Sequence, residues 1–394
     1  MKSRSGLMAF SILMLSLLPM STGASAATIP GLMKQFPGLA IETAELTVTI
    51  PSFTMALLIV ISSFLVKRIG TKKIVISGTA ITAIGAIMSM LSPNMTVLLI
   101  ARALMGAGIG LFNTLCISLI DLLYHGQQRE RLLGFQNTFQ GLGAAGGALI
   151  VGIILIYSKW NVAFAFYLIA IPILILYLLF VPEVRYDNAQ FDTIEGQDRL
   201  SKFAKLQFGY YWVVLFMVMV FYMTVNVKIP SYILNNHFGS LSIGSSAVVI
   251  MSVGTIVGGM IYGNIEMVFR KLTLFLAVLI EAVSVIVIST ATNAIACFVG
   301  GFGVGFAFGL FIPFIFSKGL SLVPKRYGND ATTVLMIATN GANFLSPYIS
   351  KAINFGGTDQ SLFMISGVIA AGISIIELIK SLSADHFRIS SQRV

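Results

Sequence analysis

Residues 101–152 read ARALMGAGIGLFNTLCISLIDLLYHGQQRERLLGFQNTFQGLGAAGGALIVG. Two apolar segments, each long enough to cross a bilayer, are joined here by a short polar loop carrying Arg129, Glu130 and Arg131. The first holds one arginine, Arg102, and a G-x-G-x-G run at Gly106, Gly108 and Gly110. The second is dense in small residues: Gly134, Gly143, Gly147 and Gly152, with Gly141, Ala144 and Ala148 between them. An arginine inside a spanning helix costs about 2.5 kcal/mol or more, so it normally faces a polar cavity or a partner. Glycines there give up side-chain packing but let two backbones approach closely. A charged group beside a close helix contact suggests parts that move, not a passive anchor.

The surrounding chain fits this reading. Of its 394 residues, 57% are hydrophobic and only 10% charged. A soluble domain carries about 25% charged residues, so this chain has too few to cover a water-facing surface. It reads as an integral, all-α membrane protein. The net charge of +10 does not point to nucleic acid, because the cations sit in short loops and form no basic stripe interleaved with aromatics. Cys116 and Cys297 lie within apolar segments without metal-ligand spacing, and read as small core residues. No metal or cofactor is expected, and the chain reads as a monomer in lipid.

A spanning helix needs about 20 mainly apolar residues. Twelve segments meet that length, near 6–28, 44–66, 74–92, 96–123, 133–157, 162–182, 208–233, 244–267, 272–291, 294–320, 331–353 and 360–381. The first would also pass for a cleavable signal peptide, since Lys2 and Arg4 precede an apolar run ending in Ala24, Ser25 and Ala26. With both termini inside, the cytoplasmic side collects nineteen cations, and the outer loops hold only Lys34, Lys159 and Lys351. That satisfies the positive-inside rule, and the opposite orientation would invert it.

The one long polar interruption, residues 183–206, sits almost at mid-chain. It divides residues 1–182 from 207–381 as two six-helix halves joined by a cytoplasmic linker, with residues 382–394 as a tail. The halves echo each other: GAGIG at 106–110 and GFGVG at 301–305 lie 195 residues apart in the fourth and tenth spans. Lys72-Lys73 and Arg270-Lys271 follow the second and eighth. A duplicated six-helix unit with a site between its halves is a known transporter plan.

Twelve spans in two halves, with a basic loop after the second, resemble the major facilitator superfamily. The superfamily loop G-x-x-x-D-R-x-G-R-K is matched at Arg68, Gly70 and Lys72, with Ser63 for the first glycine and Lys67 for the acid. The family's gating salt bridge on that acid therefore has no counterpart at Lys67. The fourth-span pattern R-x-x-x-G-x-G is met by Arg102, Gly106 and Gly108, and Asp121 with the following RERLLG resembles the turn at its inner end. The antiporter pattern of the fifth span is matched at Gly134, Gly143, Gly147 and Gly152; Ala148 replaces its proline and Val151 a glycine. The resemblance is thus to the twelve-helix drug–proton antiporter branch. It implies a plasma-membrane secondary transporter working by alternating access, with Arg68, Gly70, Lys72 and the fifth-span glycines as gate and packing elements.

In that branch the fourth-span arginine serves proton coupling or substrate response, which makes Arg102 the first candidate; a purely structural role beside a carbonyl is the alternative. An arginine keeps its charge, so coupling also asks for an acid. Glu281 is the carboxylate well inside a span, Glu42 and Glu45 lie at the outer end of the second, and Asp121 is placed as a gate member. Asn113, Gln136, Gln140, Asn226, Lys228, Phe306, Asn340 and Asn343 would line the passage. Lys228 would either bind an anion or snorkel to the interface. Sparse polar groups among phenylalanines and methionines favour lipophilic or amphipathic cargo over sugars. The alternatives are uptake or facilitated passage of a small organic anion and, more remotely, a membrane-embedded enzyme or sensor. His125, His237 and His386 are scattered, and no nucleophile–base constellation supports catalysis.

Overall fold

The computed structural model describes residues 2–183, 201–324, 327–355 and 357–391. Helices run at each of the twelve expected positions. The first is composite: Lys2–Leu15, Leu17–Met20, a 3-10 stretch Ser21–Thr28, then Ile29–Gln35. Ile41–Ile69, Thr71–Met90 and the pair Met95–Asn113 and Leu115–Leu123 form the second to fourth. Gly126–Tyr157 is the fifth, and 3-10 Trp160–Ile169 with Ala170–Phe180 the sixth. Lys202–Asn235, Leu241–Phe269, Thr273–Ser289, Ala294–Ser321, Gly328–Asn354 and Asp359–Ser391 are the seventh to twelfth. Of the expected linker, residues 184–200 lie outside the described residues. The last helix runs on through most of the expected tail.

Among the described residues, ten stretches are long and apolar enough to cross a membrane, and one of them, Leu241–Ser289, holds both the eighth and ninth helices. These divide at Arg270, whose φ is +46°. The eleventh is less apolar, its run broken by Thr332, Thr333, Thr339, Asn340 and Asn343. Successive spans alternate in direction, so the described ends Lys2 and Ser391 belong to one face (the near face); Glu45, Lys228 and Asp359 lie towards the other (the far face).

Local chemistry explains the breaks. Proline lacks the N–H that would bond the carbonyl four residues back, so Pro19 deprives Leu15 of its helical partner and the first helix stops there. The 3-10 stretch that follows is held by hydroxyls turning back onto carbonyls three residues earlier: Ser21 to Leu18, Thr22 to Pro19, Ser25 to Thr22 and Thr28 to Ser25. The signal-peptide-like small residues are thus a buried structural element. Asn94 and Asn293 cap the fourth and tenth helices, their side chains accepting from the N–H of Val97 and Ala296 at 2.9 and 3.0 Å.

The two caps also correct the repeat register. They lie 199 residues apart, as do Gly106 and Gly305, and Gly110 and Gly309. Gly106 and Gly110 press on Pro51 and Met55 of the second helix; Gly305 and Gly309 press on Met251 and Thr255 of the eighth. The offset of 195 aligned the letter strings and missed this. Glycines four apart share a helix face and glycines two apart do not, so the i, i+4 pairs are the equivalent ones.

Each half has its own core; that of the first runs from Tyr124 and Tyr177 at the near face to Leu32 and Trp160 at the far face, and Met336 of the eleventh span packs against it. In the first, Ile12, Leu15, Met105, Phe112, Phe164 and Tyr177 belong to one buried cluster. In the second, Val218, Phe221, Val278, Phe311, Phe314 and Leu335 belong to another. Towards the far face the halves share cores. Ala24, Ala148 and Val151 pack with Ile229, Ala247 and Met251, while Ala44 and Val48 pack with Met223 and Val227.

Candidate functional site

Arg102 is fully buried at the meeting of four spans of the first half. Its Nε donates to the Thr47 carbonyl at 2.7 Å, and its Nη2 to Ser25 Oγ at 2.9 Å and the Thr22 carbonyl at 3.3 Å. Its Nη1 lies 3.5 Å from Met105 Sδ. The guanidinium carbon sits 5.3 and 5.2 Å from the ring centres of Phe164 and Tyr167, within the range of cation–π attraction. The Tyr167 hydroxyl closes the cluster by donating to the Ser21 carbonyl at 2.8 Å. The 3-10 stretch makes this possible, because its weaker internal bonding leaves carbonyls free to turn sideways. The charge is therefore met by carbonyls, a hydroxyl and two rings, and none of its recorded partners is a carboxylate. Thr22, Thr47 and Tyr167 were not singled out in the sequence, and Ser25 was read there only as part of a signal-peptide-like run. A run of hydroxyl-bearing small residues after an intrahelical proline is the one signal that could have pointed there.

A second polar cluster joins the halves near the far face. Lys228 Nζ lies 2.5 Å from Glu45 Oε1 and 3.4 Å from Asp359 Oδ1, with the lysine and Glu45 side chains only 10% and 3% exposed. Glu45 belongs to the second span, Lys228 to the seventh, and Asp359 to the first turn of the twelfth. Beside them Lys351 of the eleventh span meets Glu42 of the second at 3.0 Å. Lys228 is thus held by two carboxylates. Asp359 is the member that sequence reading missed, since an acid at a helix start needs no tertiary explanation.

The other expected residues scatter around this framework. Glu281 is fully buried in the ninth span, and neither carboxyl oxygen has a hydrogen-bond partner. The Asp121 side chain lies outside the described residues. Asn226 is buried, with Nδ2 4.0 Å from Met251 Sδ and Oδ1 unpartnered. Asn113 Nδ2 reaches Met55 Sδ at 3.7 Å. Asn340 donates to the Met336 carbonyl of its own helix at 2.9 Å, while Asn343 Oδ1 is buried and unpartnered. Gln136 is buried and Gln140 half-buried on the fifth span. Phe306 stacks on Phe302 at 6.2 Å; its neighbour Phe308 stacks on Tyr222 of the seventh span at 4.2 Å.

Among the packing residues, Gly70 has φ +87° where the second helix turns into the third, a conformation that suits glycine. Lys72 donates to the Leu178 carbonyl at 3.2 Å, and Arg68 is exposed. A methyl group on Gly143 would collide with the Leu17 carbonyl, one on Gly147 would press on Phe166 and Ala24, and one on Gly152 would strike Ser245 of the eighth span. Gly134 has open space around it. At the near face a groove of about 410 Å³ is lined by Phe208, Trp212, Val323 and Val334, with Lys205 and Asp330 at its rim; this lining comes from the second half alone.

Comparison with known proteins completes the description. Residues 11–347 match the family model of the Major Facilitator Superfamily. The chain belongs to that superfamily. It is 24% identical over 184 residues to the MFS-type transporter YhcA of Bacillus subtilis, covering 46% of this chain and 34% of that protein. It is 31% identical over 117 residues to the multidrug efflux pump SdrM of Staphylococcus aureus, covering 30% of this chain and 26% of the pump. The matched stretches thus span about a third and a quarter of those relatives. Among solved structures, a D-xylose–proton symporter superimposes with TM-score 0.78 at 16% identity, covering 94% of this chain and 96% of that one. A POT family transporter in complex with 5-aminolevulinic acid gives 0.77 at 14% identity, covering 96% of each chain. These structures share the fold. The chain described here is thus a multi-pass membrane protein of the Major Facilitator Superfamily.

Proposed function

We propose that this transporter exports lipophilic or amphipathic small molecules across the plasma membrane by alternating access, in exchange for protons, with both termini in the cytoplasm. One observation carries the reading. Shared apolar cores and two ion pairs join the halves towards the far face, while elsewhere each half keeps a core of its own, with Met336 of the eleventh span packed against the first half's. The positive-inside rule makes the near face cytoplasmic, so this conformation is closed to the outside. The glycine contacts of the fifth span bring it close to the first and eighth, as a rocking motion between packed surfaces requires.

Export of amphipathic cargo is supported by the sparse amides and by the stacked Tyr222 and Phe308. The partial likeness to a multidrug efflux pump agrees. Carriage of an organic anion is less well supported, because Arg102 and Lys228 already have partners. The test is to reconstitute the protein in vesicles and record internal pH while adding lipophilic cations, neutral drugs and organic anions. Proton movement triggered by cationic or neutral drugs, and lost in Arg102→Ala, is the expected result. Substrate movement that ignores an imposed pH gradient would overturn the coupling.

A further inference from the structure

The two carboxylates on Lys228 are not equivalent. Glu45 comes from the first half of the chain, whereas Lys228 and Asp359 both come from the second. If the halves separate at the far face, Glu45 leaves and Asp359 stays. We propose that Asp359 is a positioning residue of the transport cycle: the resident counter-ion that takes over Lys228 when Glu45 withdraws. The inference rests on the alternating-access reading and adds to it a defined exchange of partners.

The physical need for such a residue is plain. A buried ammonium stripped of its only counter-ion carries a heavy desolvation cost, and that cost would weigh against the open state. A second carboxylate 3.4 Å away in the closed state can shorten that contact by a side-chain rotation. It sits at the amino-terminal end of a helix of 33 residues, where the dipole favours a negative charge. The lysine is thus never unpaired. Glu45 is left as the free group, turned towards the medium on the far face together with Glu42, which gives up Lys351 in the same movement. A vacated carboxylate at the mouth is a place for a cation, and the second span carries it away from the seventh.

The two acids therefore have opposite effects on the equilibrium. Glu45 stabilises the closed far face. Asp359 supports both states but matters more in the open one, where it is the sole partner. The alternative, in which Asp359 is one more bond of the closed latch, predicts the reverse sign for its removal.

That sign can be read with a cysteine at Ala44, which is buried in the shared core against Val227 and Met223. Both native cysteines are buried, so Ala44→Cys reports opening when a membrane-impermeant maleimide is applied from the far side. In that background Glu45→Gln should label several-fold faster than the parent and Asp359→Asn several-fold slower, with Asp359→Glu close to the parent. Monodisperse elution in detergent verifies that each variant is folded. Faster or unchanged labelling in Asp359→Asn, alongside faster labelling in Glu45→Gln, would overturn the handover and leave alternating access intact. No acceleration in Glu45→Gln would overturn the closed-latch reading and the inference with it. If Asp359→Asn does not fold, slower opening in Asp359→Glu/Glu45→Gln than in Glu45→Gln alone counts against the handover, and equal or faster opening supports it.

Discussion

At the scale of the residue, Arg102 shows how a membrane protein keeps a charge without an acid. Three hydrogen bonds and two aromatic faces surround it, and they come from the first, second and sixth spans. A guanidinium can serve carbonyls on two sides at once, whereas an ammonium is a point donor. Arg102→Lys should therefore keep the charge but lose one side, the Thr47 carbonyl or the Ser25–Thr22 pair. Hydrogen bonds to charged groups contribute about 1.5–3 kcal/mol each, so a clear fall in the thermal unfolding midpoint in detergent is expected, with transport reduced. An unchanged midpoint would mean that the hub is not what holds the first span. The arginine itself was legible in the sequence because a charge in an apolar run is costly. Its partners were not, because Thr22 and Thr47 contribute backbone oxygen that no side-chain pattern announces. Lys228 was visible for the same reason as Arg102. Its bond to Glu45 joins residues 183 positions apart, and nothing local encodes it.

At the scale of the element, the fifth span separates glycines that pack from one that does not. Gly143 faces the Leu17 carbonyl across a gap too small for a methyl group, while Gly134 faces open space. Overpacking a tight contact costs about 1–3 kcal/mol, whereas replacing an unconstrained helical glycine by alanine gains about 0.5–1 kcal/mol. Gly143→Val should lower the unfolding midpoint and the transport rate, and Gly134→Ala should leave both unchanged or slightly improved. The reverse order would show that the contact is not limiting. All four glycines fit the family pattern equally well in sequence, so spacing alone did not separate them. The tenth span teaches the same lesson. Its glycines were visible, but only the helix faces revealed that Gly305 and Gly309, not Gly301 and Gly303, answer Gly106 and Gly110. The twelve helical positions were legible because each needs a long apolar run. The 3-10 stretch was not, since small hydroxyl residues after a proline suit several conformations.

At the scale of the whole molecule, the distribution of contacts defines a state. The halves share apolar cores and the ion pairs of Lys228 and Lys351 at one face. The exposed Lys351 pair contributes little by itself, in the range of about 0–1 kcal/mol for surface pairs; the buried cores and the Lys228 cluster are the principal closure. A transporter that alternates must break those contacts and close the other face in return. The most direct test is distance measurement by paired spin labels in vesicles. One pair sits at Ala40 and Ser240 on the far face and one at Ile69 and Phe269 on the near face, all exposed positions. Adding a lipophilic cation under an imposed pH gradient should lengthen the first distance and shorten the second in the same population. Two distances that stay fixed, or that change together in one direction, would contradict alternating access.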